Sequence, residues 1–364
     1  MQIGEIINYL ESLAPLSSQE SYDNSGLIVG NRKTTVSNAL ISLDCTEEIV
    51  EEAIQKNCNL IIAHHPIVFK GLKKFNGKNY VERTVLKAIK NDIAIYAIHT
   101  NLDNYKLGVN KKIGDLLGVS NPQVLAPVSQ KLFKLAVFCP ESHAQEVENA
   151  LFNAGAGQIG NYSECSFSTY GAGSFKANDK ANPHVGEAGK RHYEGEIKIE
   201  VIASTHLMGK VVNAMLNAHP YEEVAYDCIP LLNKNKDEGA GMIGTLDTPL
   251  DERAFLDKVK ATFKCGIIRH TALQNKPIKK VAWCGGAGSF LLGTAKGKGA
   301  DIYITGDFKY HEFFDAEDQI IIADIGHFES EQYTIELLDE LLRKKFATFA
   351  PCLTEINTNP VKYY

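Results

Sequence analysis

Short runs of consecutive apolar residues, each closing on polar side chains, constrain this chain most. Ala39 to Leu43, Asn59 to Ala63 and Ile93 to Ile98 lie early; Asp301 to Thr305 and Ile320 to Ala323 lie late. A strand covered on both faces is apolar throughout, whereas a half-buried one alternates. Helical stretches separate these runs. After the first comes Asp44-Cys45-Thr46-Glu47-Glu48, with Thr46 placed as an N-cap and acidic residues in the first turn. That helix is predicted to reach about Lys56, and Glu5 to Leu13 reads as a short amphipathic helix. Apolar strands alternating with helices predict βαβ units and a parallel or mixed sheet, an α/β fold.

The texture changes between about residues 129 and 235. Leu132 to Phe138 reads as a strand, Ser142 to Asn153 as a helix, and Gly155 to Gly189 as a long polar, Gly-rich loop. Glu196 to Ala203 alternates, with Ile197, Ile199 and Val201 on one face, and a helix follows from about Met208 to Ala218. This β-α-loop-β-α-β order suggests a ferredoxin-like α+β module. The βαβ texture returns at Lys280 to Cys284, and a terminal helix is expected from about Glu329 to Lys345. The 364 residues suit two or three domains. The expected organisation is a discontinuous α/β domain, residues 1–127 and 237–364, with residues 128–236 inserted. Lys56 to His65 can be set against Lys298 to Asp307 as an internal repeat.

Composition removes several classes. A hydrophobic content of 44% argues against disorder. Thirty-eight basic against 44 acidic residues give a net charge of −6, and no basic stripe stands out, which argues against nucleic-acid binding. No apolar run is long enough to cross a bilayer. The N-terminus carries no signal-peptide pattern. The eight cysteines form no C-x-x-C pair, the pattern of reduced thiols in a cytoplasmic protein.

Three strand ends carry the residues with chemistry. Ala63-His64-His65-Pro66 places two imidazoles where a strand stops, and ligands of open α/β sheets bind beyond carboxyl ends. The pair reads either as metal ligands or as polar caps. His99-Thr100-Asn101-Leu102-Asp103 follows another strand: Asp103 can bridge cations, His99 can ligate or orient, or the segment is a polar turn. In Asp324 to Glu331, His327 and Glu331 stand at i and i+4 on one helical face; Glu329 and Glu331 also read as simple N-terminal helix charges. Together the three ends offer what a dinuclear site requires. Gly285-Gly286-Ala287-Gly288-Ser289 could cradle phosphate or make a tight turn. Tyr22-Asp23-Asn24-Ser25-Gly26 reads as a structural turn before Leu27 to Val29, or as a turn lining the cleft.

These residues resemble a known family, the GTP cyclohydrolase type 2 homologues, also called NGG-interacting-factor-three-like. The matching stretches are Asp23 to Leu27, Ala63 to Pro66, His99 to Asp103, Thr305-Gly306-Asp307 with Lys309-Tyr310-His311, Gly326-His327 through Ser330-Glu331, and Asn357 to Pro360. They span nearly the whole chain. The resemblance implies a two-lobed α/β core with a dinuclear metal site in its cleft, its ligands His64, His65, Asp103, His327 and Glu331. It implies two divalent transition-metal ions per chain, zinc or iron, and a toroidal homohexamer. It also implies that the insert is PII-like or CutA-like, with His219-Pro220-Tyr221-Glu222-Glu223 resembling the CutA-type turn. Ser25 departs from the family, where Val is frequent, at a position expected to touch no ligand.

The expected function is metal-dependent hydrolysis, of a GTP-type purine ring or of a phosphoester, with His99 and His311 as candidates to orient ligands or move protons. The alternative is a non-catalytic metal-binding regulator or chaperone whose insert senses a small molecule or nucleotide. Tyr170 to Gly189 reads either as a mobile surface loop or as a lid over the metal cleft.

Overall fold

The computed structural model describes residues 1–364. They divide into two compact units, Met1–Ala126 with Asp237–Tyr364, and Pro127–Lys236. The first unit opens with α1 (Ile3–Leu13), which buries Ile3, Ile6, Ile7 and Leu10, the spacing of one helical face. Next come β1 (Gly26–Val29), β2 (Ala39–Ser42), α2 (Glu47–Gln55), β3 (Leu60–Ala63), α3 (Tyr80–Lys90) and β4 (Ala94–Ala97). The Thr46 side chain accepts from the Ile49 N–H, so α2 begins at the expected cap. Every residue of β2, β3 and β4 is buried, as continuous apolar runs require. Then follow α4 (Thr100–Asn104), α5 (Val109–Leu117) and β5 (Ser120–Val128).

The second unit runs β6 (Leu132–Pro140), α6 (Ala144–Asn153), β7 (Ser166–Lys176), β8 (Arg191–Ser204), α7 (Met208–Ala218) and β9 (Tyr226–Leu231). Its sheet has the order β7-β8-β6-β9, with every neighbouring pair antiparallel. Phe133, Leu135 and Val137 of β6 and Ile197, Ile199 and Val201 of β8 pack beneath Val147, Leu151, Val211 and Met215 of the helices. Strand β7 corrects the sequence reading, which placed all of Ser166 to Lys176 in a loop. The β7–β8 ribbon runs past the sheet into solvent, so almost no β7 residue is covered and no buried face marks it. Of the expected loop, residues 155–165 and the longer stretch 177–190 lie outside helix and strand. The latter lies on its own unit, the Asn182 N–H donating to Glu222 at 2.8 Å.

The chain returns to the first unit through β10 (Asn235–Leu250), α8 (Glu252–Thr262), β11 (Arg269–His270), β12 (Ile278–Ala287), α9 (Leu292–Gly297), β13 (Ile302–Gly306), β14 (Ile321–Asp324), α10 (His327–Glu331), α11 (Thr334–Lys345) and β15 (Cys352–Leu353). The expected single terminal helix is two. Between them the Gln332 side chain donates to the Phe263 carbonyl and the Tyr333 hydroxyl to the Thr262 carbonyl, which redirects the chain. One sheet has the order β1-β4-β3-β2-β15, the other β11-β14-β13-β12-β10-β5. In each, three parallel strands lie in reverse chain order beside an antiparallel edge strand that precedes them. The proposed repeat is therefore visible in the connectivity, β1 to β4 matching β11 to β14. Tyr96 and Ile62 of one sheet share a core with Trp283, Ile302 and Ile304 of the other. No helix is long and apolar enough to cross a membrane.

Candidate metal centre

The carboxyl ends of both parallel strand triplets supply the site. His64 and His65 follow β3, His99 follows β4, Asp103 lies on α4, and His327 and Glu331 lie on α10 just beyond β14. Four imidazoles gather, with His64–His65 ring centroids 4.9 Å apart, His65–His99 5.3 Å and His65–His327 5.3 Å. In each ring Nδ1 meets an oxygen at 2.8 Å: the Ile98 carbonyl for His64, Asp44 for His65, Asp23 for His99 and Asp307 for His327. Such partners fix tautomer and ring orientation, leaving Nε2 of the metal-candidate rings to accept a cation.

Glu331 is the hub. Its Oε2 lies 2.9 Å from His65 Nε2 and 3.1 Å from His327 Nε2, while Oε1 lies 3.9 Å from His64 Nε2. Asp103 Oδ1 approaches His64 Nε2 at 3.6 Å. The ligand atoms of His64, His65 and Glu331 all lie within 4.8 Å of one another. His64 Nε2 and Asp103 Oδ1 are buried without any hydrogen-bond partner. Buried polar atoms are otherwise almost always paired, so this donor set fits a transition-metal cation. All five candidate ligands converge.

The electrostatics match that arrangement. Burial and the nearby Glu331 push Asp103 up to about 7. Burial also penalises charge on Glu331, but the imidazoles, His327 foremost, hold it well below the usual carboxylate range. Burial lowers the basicity of His65 and His327, yet their carboxylates outweigh it and raise them to about 9 and about 11. Without a cation, protons thus sit on His65 and His327, and metal binding there must release them.

Other expectations resolve differently. His311 is exposed, its ring beside Tyr310 and Phe314 and not among the four imidazoles. The Gly-rich stretch is no free phosphate cradle: Gly285 and Gly286 donate their N–H groups to Asn110 and Ser330. Gly286, at φ +63°, admits Glu331, since a Cβ there would collide with Oε1. The turn at Tyr22 to Gly26 is part of the site. Asp23 binds His99, Thr100 and Ser25, and the Ser25 hydroxyl accepts from the His99 N–H at 3.2 Å. The sequence reading missed Asp23, Asp44 and Asp307 as partners. Asp44 and Asp307 follow β2 and β13 closely, so the strand-end rule that found the histidines also marks them. The tail closes over this layer: Thr358 donates to Asp44 at 2.5 Å and Asn359 to Glu329 at 3.2 Å.

Two cavities reach His65. One, about 500 Å³, is lined by Asp44, Arg269, Asp307, His327 and Tyr363. The other, about 640 Å³, is lined by Asp44, Pro66, Phe69, Tyr80 and Thr358.

The family model Duf34/NIF3 (NGG1p interacting factor 3) matches residues 1–360. The chain is 39% identical over 363 residues to a GTP cyclohydrolase 1 type 2 homolog of Halalkalibacterium halodurans, covering 98% of both. It is 38% identical over 365 residues to the Bacillus subtilis protein of the same description, covering 99% of this chain and 98% of that one. A solved Bacillus cereus protein related to NIF3 superposes with a TM-score of 0.88 at 40% identity, covering 100% of this chain and 99% of that chain. By motif, length and structure, the chain belongs to the Duf34/NIF3 (NGG1p interacting factor 3) family.

Proposed function

We propose that the protein is a metal-dependent hydrolase holding two divalent transition-metal ions, zinc or iron, through His64, His65, Asp103, His327 and Glu331. The observation that carries this reading is the pair of buried, unpartnered atoms, His64 Nε2 and Asp103 Oδ1, in a cluster whose Nδ1 atoms are all engaged. Two such cations, when bound, supply Lewis acidity and lower the pKa of an adjacent water. The rest falls to the protein's own groups. Glu331 and Asp103 offset the charge of the cations. Asp44 and Asp307 hold His65 and His327 in place. His99, backed by Asp23, can take a proton at Nε2 and return it to a leaving group. Arg269, half-exposed in the cavity that reaches His327, can meet an anionic part of the substrate. The substrate class is a purine nucleotide opened at its ring, as the relatives' description suggests, or a phosphoester.

The same reading takes residues 128–236 as an inserted PII-like or CutA-like domain, residues 1–127 and 237–364 as the metal-binding core, and the working form as a cytoplasmic homohexamer. The β-α-β-β-α-β order of the second unit supports the first point. The test is metal analysis of protein purified without added metal, then hydrolysis assays with the metal found. About two ions per chain, and turnover lost with metal in His64→Ala, are expected. Metal-loaded protein that turns over neither nucleotides nor phosphoesters leaves a non-catalytic metal-binding role.

A further inference from the structure

The second unit contains a cavity of about 280 Å³, small even for an organic ligand. It lies between the end of the β7–β8 ribbon, residues 177–184, and the turn from His219 to Glu223. Its walls include Phe138, Phe175, Pro183 and Tyr221. The Phe175 and Tyr221 rings stand 6.3 Å apart at 59°, and His184 and Tyr221 6.1 Å apart at 47°, so the rings form corners and not a closed stack. Both the Phe175 and the Tyr221 ring line the enclosed space.

The turn that carries Tyr221 is fixed. His219 Nδ1 accepts the Tyr221 N–H at 3.1 Å, and Nε2 donates to the Phe138 carbonyl at 2.9 Å. Both nitrogens are engaged, which makes His219 a neutral brace and no ligand. Across the cavity, β8 brings in Glu196. Its carboxylate lies against Gly173, where any Cβ would collide with it. No lysine, arginine or histidine forms an ion pair with Glu196, whereas Glu194 and Glu200 on the same strand are paired with His192 and Lys198. Glu222 and Glu223 add two more carboxylates to the lining; Lys176, exposed on the ribbon, is its one ammonium. One oxygen of Glu222 already holds the Asn182 N–H.

We infer that this cavity is a binding site for a small organic cation, a primary amine or a quaternary ammonium, held over the faces of Phe175 and Tyr221 and against Glu196. Aromatic faces carry negative quadrupole potential, and aromatic corners with a nearby carboxylate are how ammonium groups are recognised. An anion would meet three carboxylates and the π faces. A neutral apolar molecule would cover Glu196 and leave its charge without a cationic partner. A transition metal would find one imidazole, His184. The braced turn and the pinned loop form the cavity before the ligand arrives, which reduces the ordering cost. The site is built wholly within the second unit and does not depend on the metal centre.

The test is isothermal titration of the full chain with choline, with butylamine, and with dimethylbutanol as the uncharged carbon isostere of choline. Saturable binding of at least one amine is expected, with the isostere weaker than choline by about tenfold or more where choline binds. Glu196→Gln and Phe175→Leu should each weaken amine binding by about tenfold, with circular-dichroism melts like those of the parent. If one variant loses its fold, the other carries the comparison. No saturable binding of either amine, equal binding of choline and its isostere, or binding unchanged in the folded variants overturns the inference.

Discussion

Glu331 Oε2 lies 2.9 Å from His65 Nε2, although 266 positions separate the two residues. The contact joins the end of β3 to the helix after β14, two places that correspond only loosely in the repeated connectivity. Its partner residue on the same short helix, Glu329, turns elsewhere, toward Asn359. Glu331→Ala should therefore remove most bound metal. Glu329→Ala should keep it and loosen only the tail. Plasma emission analysis of the two proteins, prepared side by side, decides this; equal metal loss would sink the hub role of Glu331.

Asp44 and Asp307 touch the imidazoles of His65 and His327 and not the point where the Nε2 atoms converge. Asp44→Asn and Asp307→Asn should each cost about 10- to 100-fold in metal affinity while the fold is retained, the usual penalty for losing an outer partner. Competition with a chromogenic chelator measures it. An unchanged affinity in both would mean that the rings are held by packing alone.

All five candidate ligands belong to Met1–Ala126 and Asp237–Tyr364. Replacing residues 128–236 with a short Gly/Ser linker should leave a folded chain that binds metal. Insertions of this kind enter where the chain ends lie close. A soluble deletion protein with cooperative melting but no metal would show that the second unit is needed to form the centre.

The strands and their order along the chain were legible because β2, β3, β4, β13 and β14 are buried on both faces, which writes continuous apolar runs. The candidate ligands could be picked out because each lies at, or in the short helix just after, a strand end. Strand β7 was not: Ser166 to Lys176 bury almost nothing, and pairing to β8 is a long-range backbone property that leaves no local periodicity. Asp23 was hidden for a related reason. Asp23 reads as a turn former, and only tertiary structure carries it 76 positions to His99. The glycines at 285 and 286 misled in the opposite direction, since a Gly-rich turn looks the same whether it admits a phosphate or a protein carboxylate.

At its start, the tail that covers this outer layer is tied to α2 by a buried carboxylate, and that tie sets an acid limit. Glu52 on α2 receives the Lys56 ammonium at 2.8 Å, the Glu355 N–H at 2.9 Å and the Thr354 hydroxyl. Burial raises its pKa, but these donors outweigh burial and hold it below the ordinary value of 4.5. A carboxylate with a depressed folded pKa stabilises the fold above its unfolded pKa, and that contribution is lost as pH falls through the folded value. The tie should therefore be complete at neutral pH and fail in the acid range below 4.5. Glu52→Gln should cost about 1–2 kcal/mol at pH 7 and flatten the dependence of stability on pH in that range. Because Thr354 and Glu355 lead to Thr358, which holds Asp44 behind His65, the same variant should show faster amide exchange from about Cys352 onward and a modest loss of metal affinity. Urea titrations at several pH values, with hydrogen exchange of the metal-loaded protein, provide the check. A variant with a parent-like pH profile would place the acid limit on a different carboxylate.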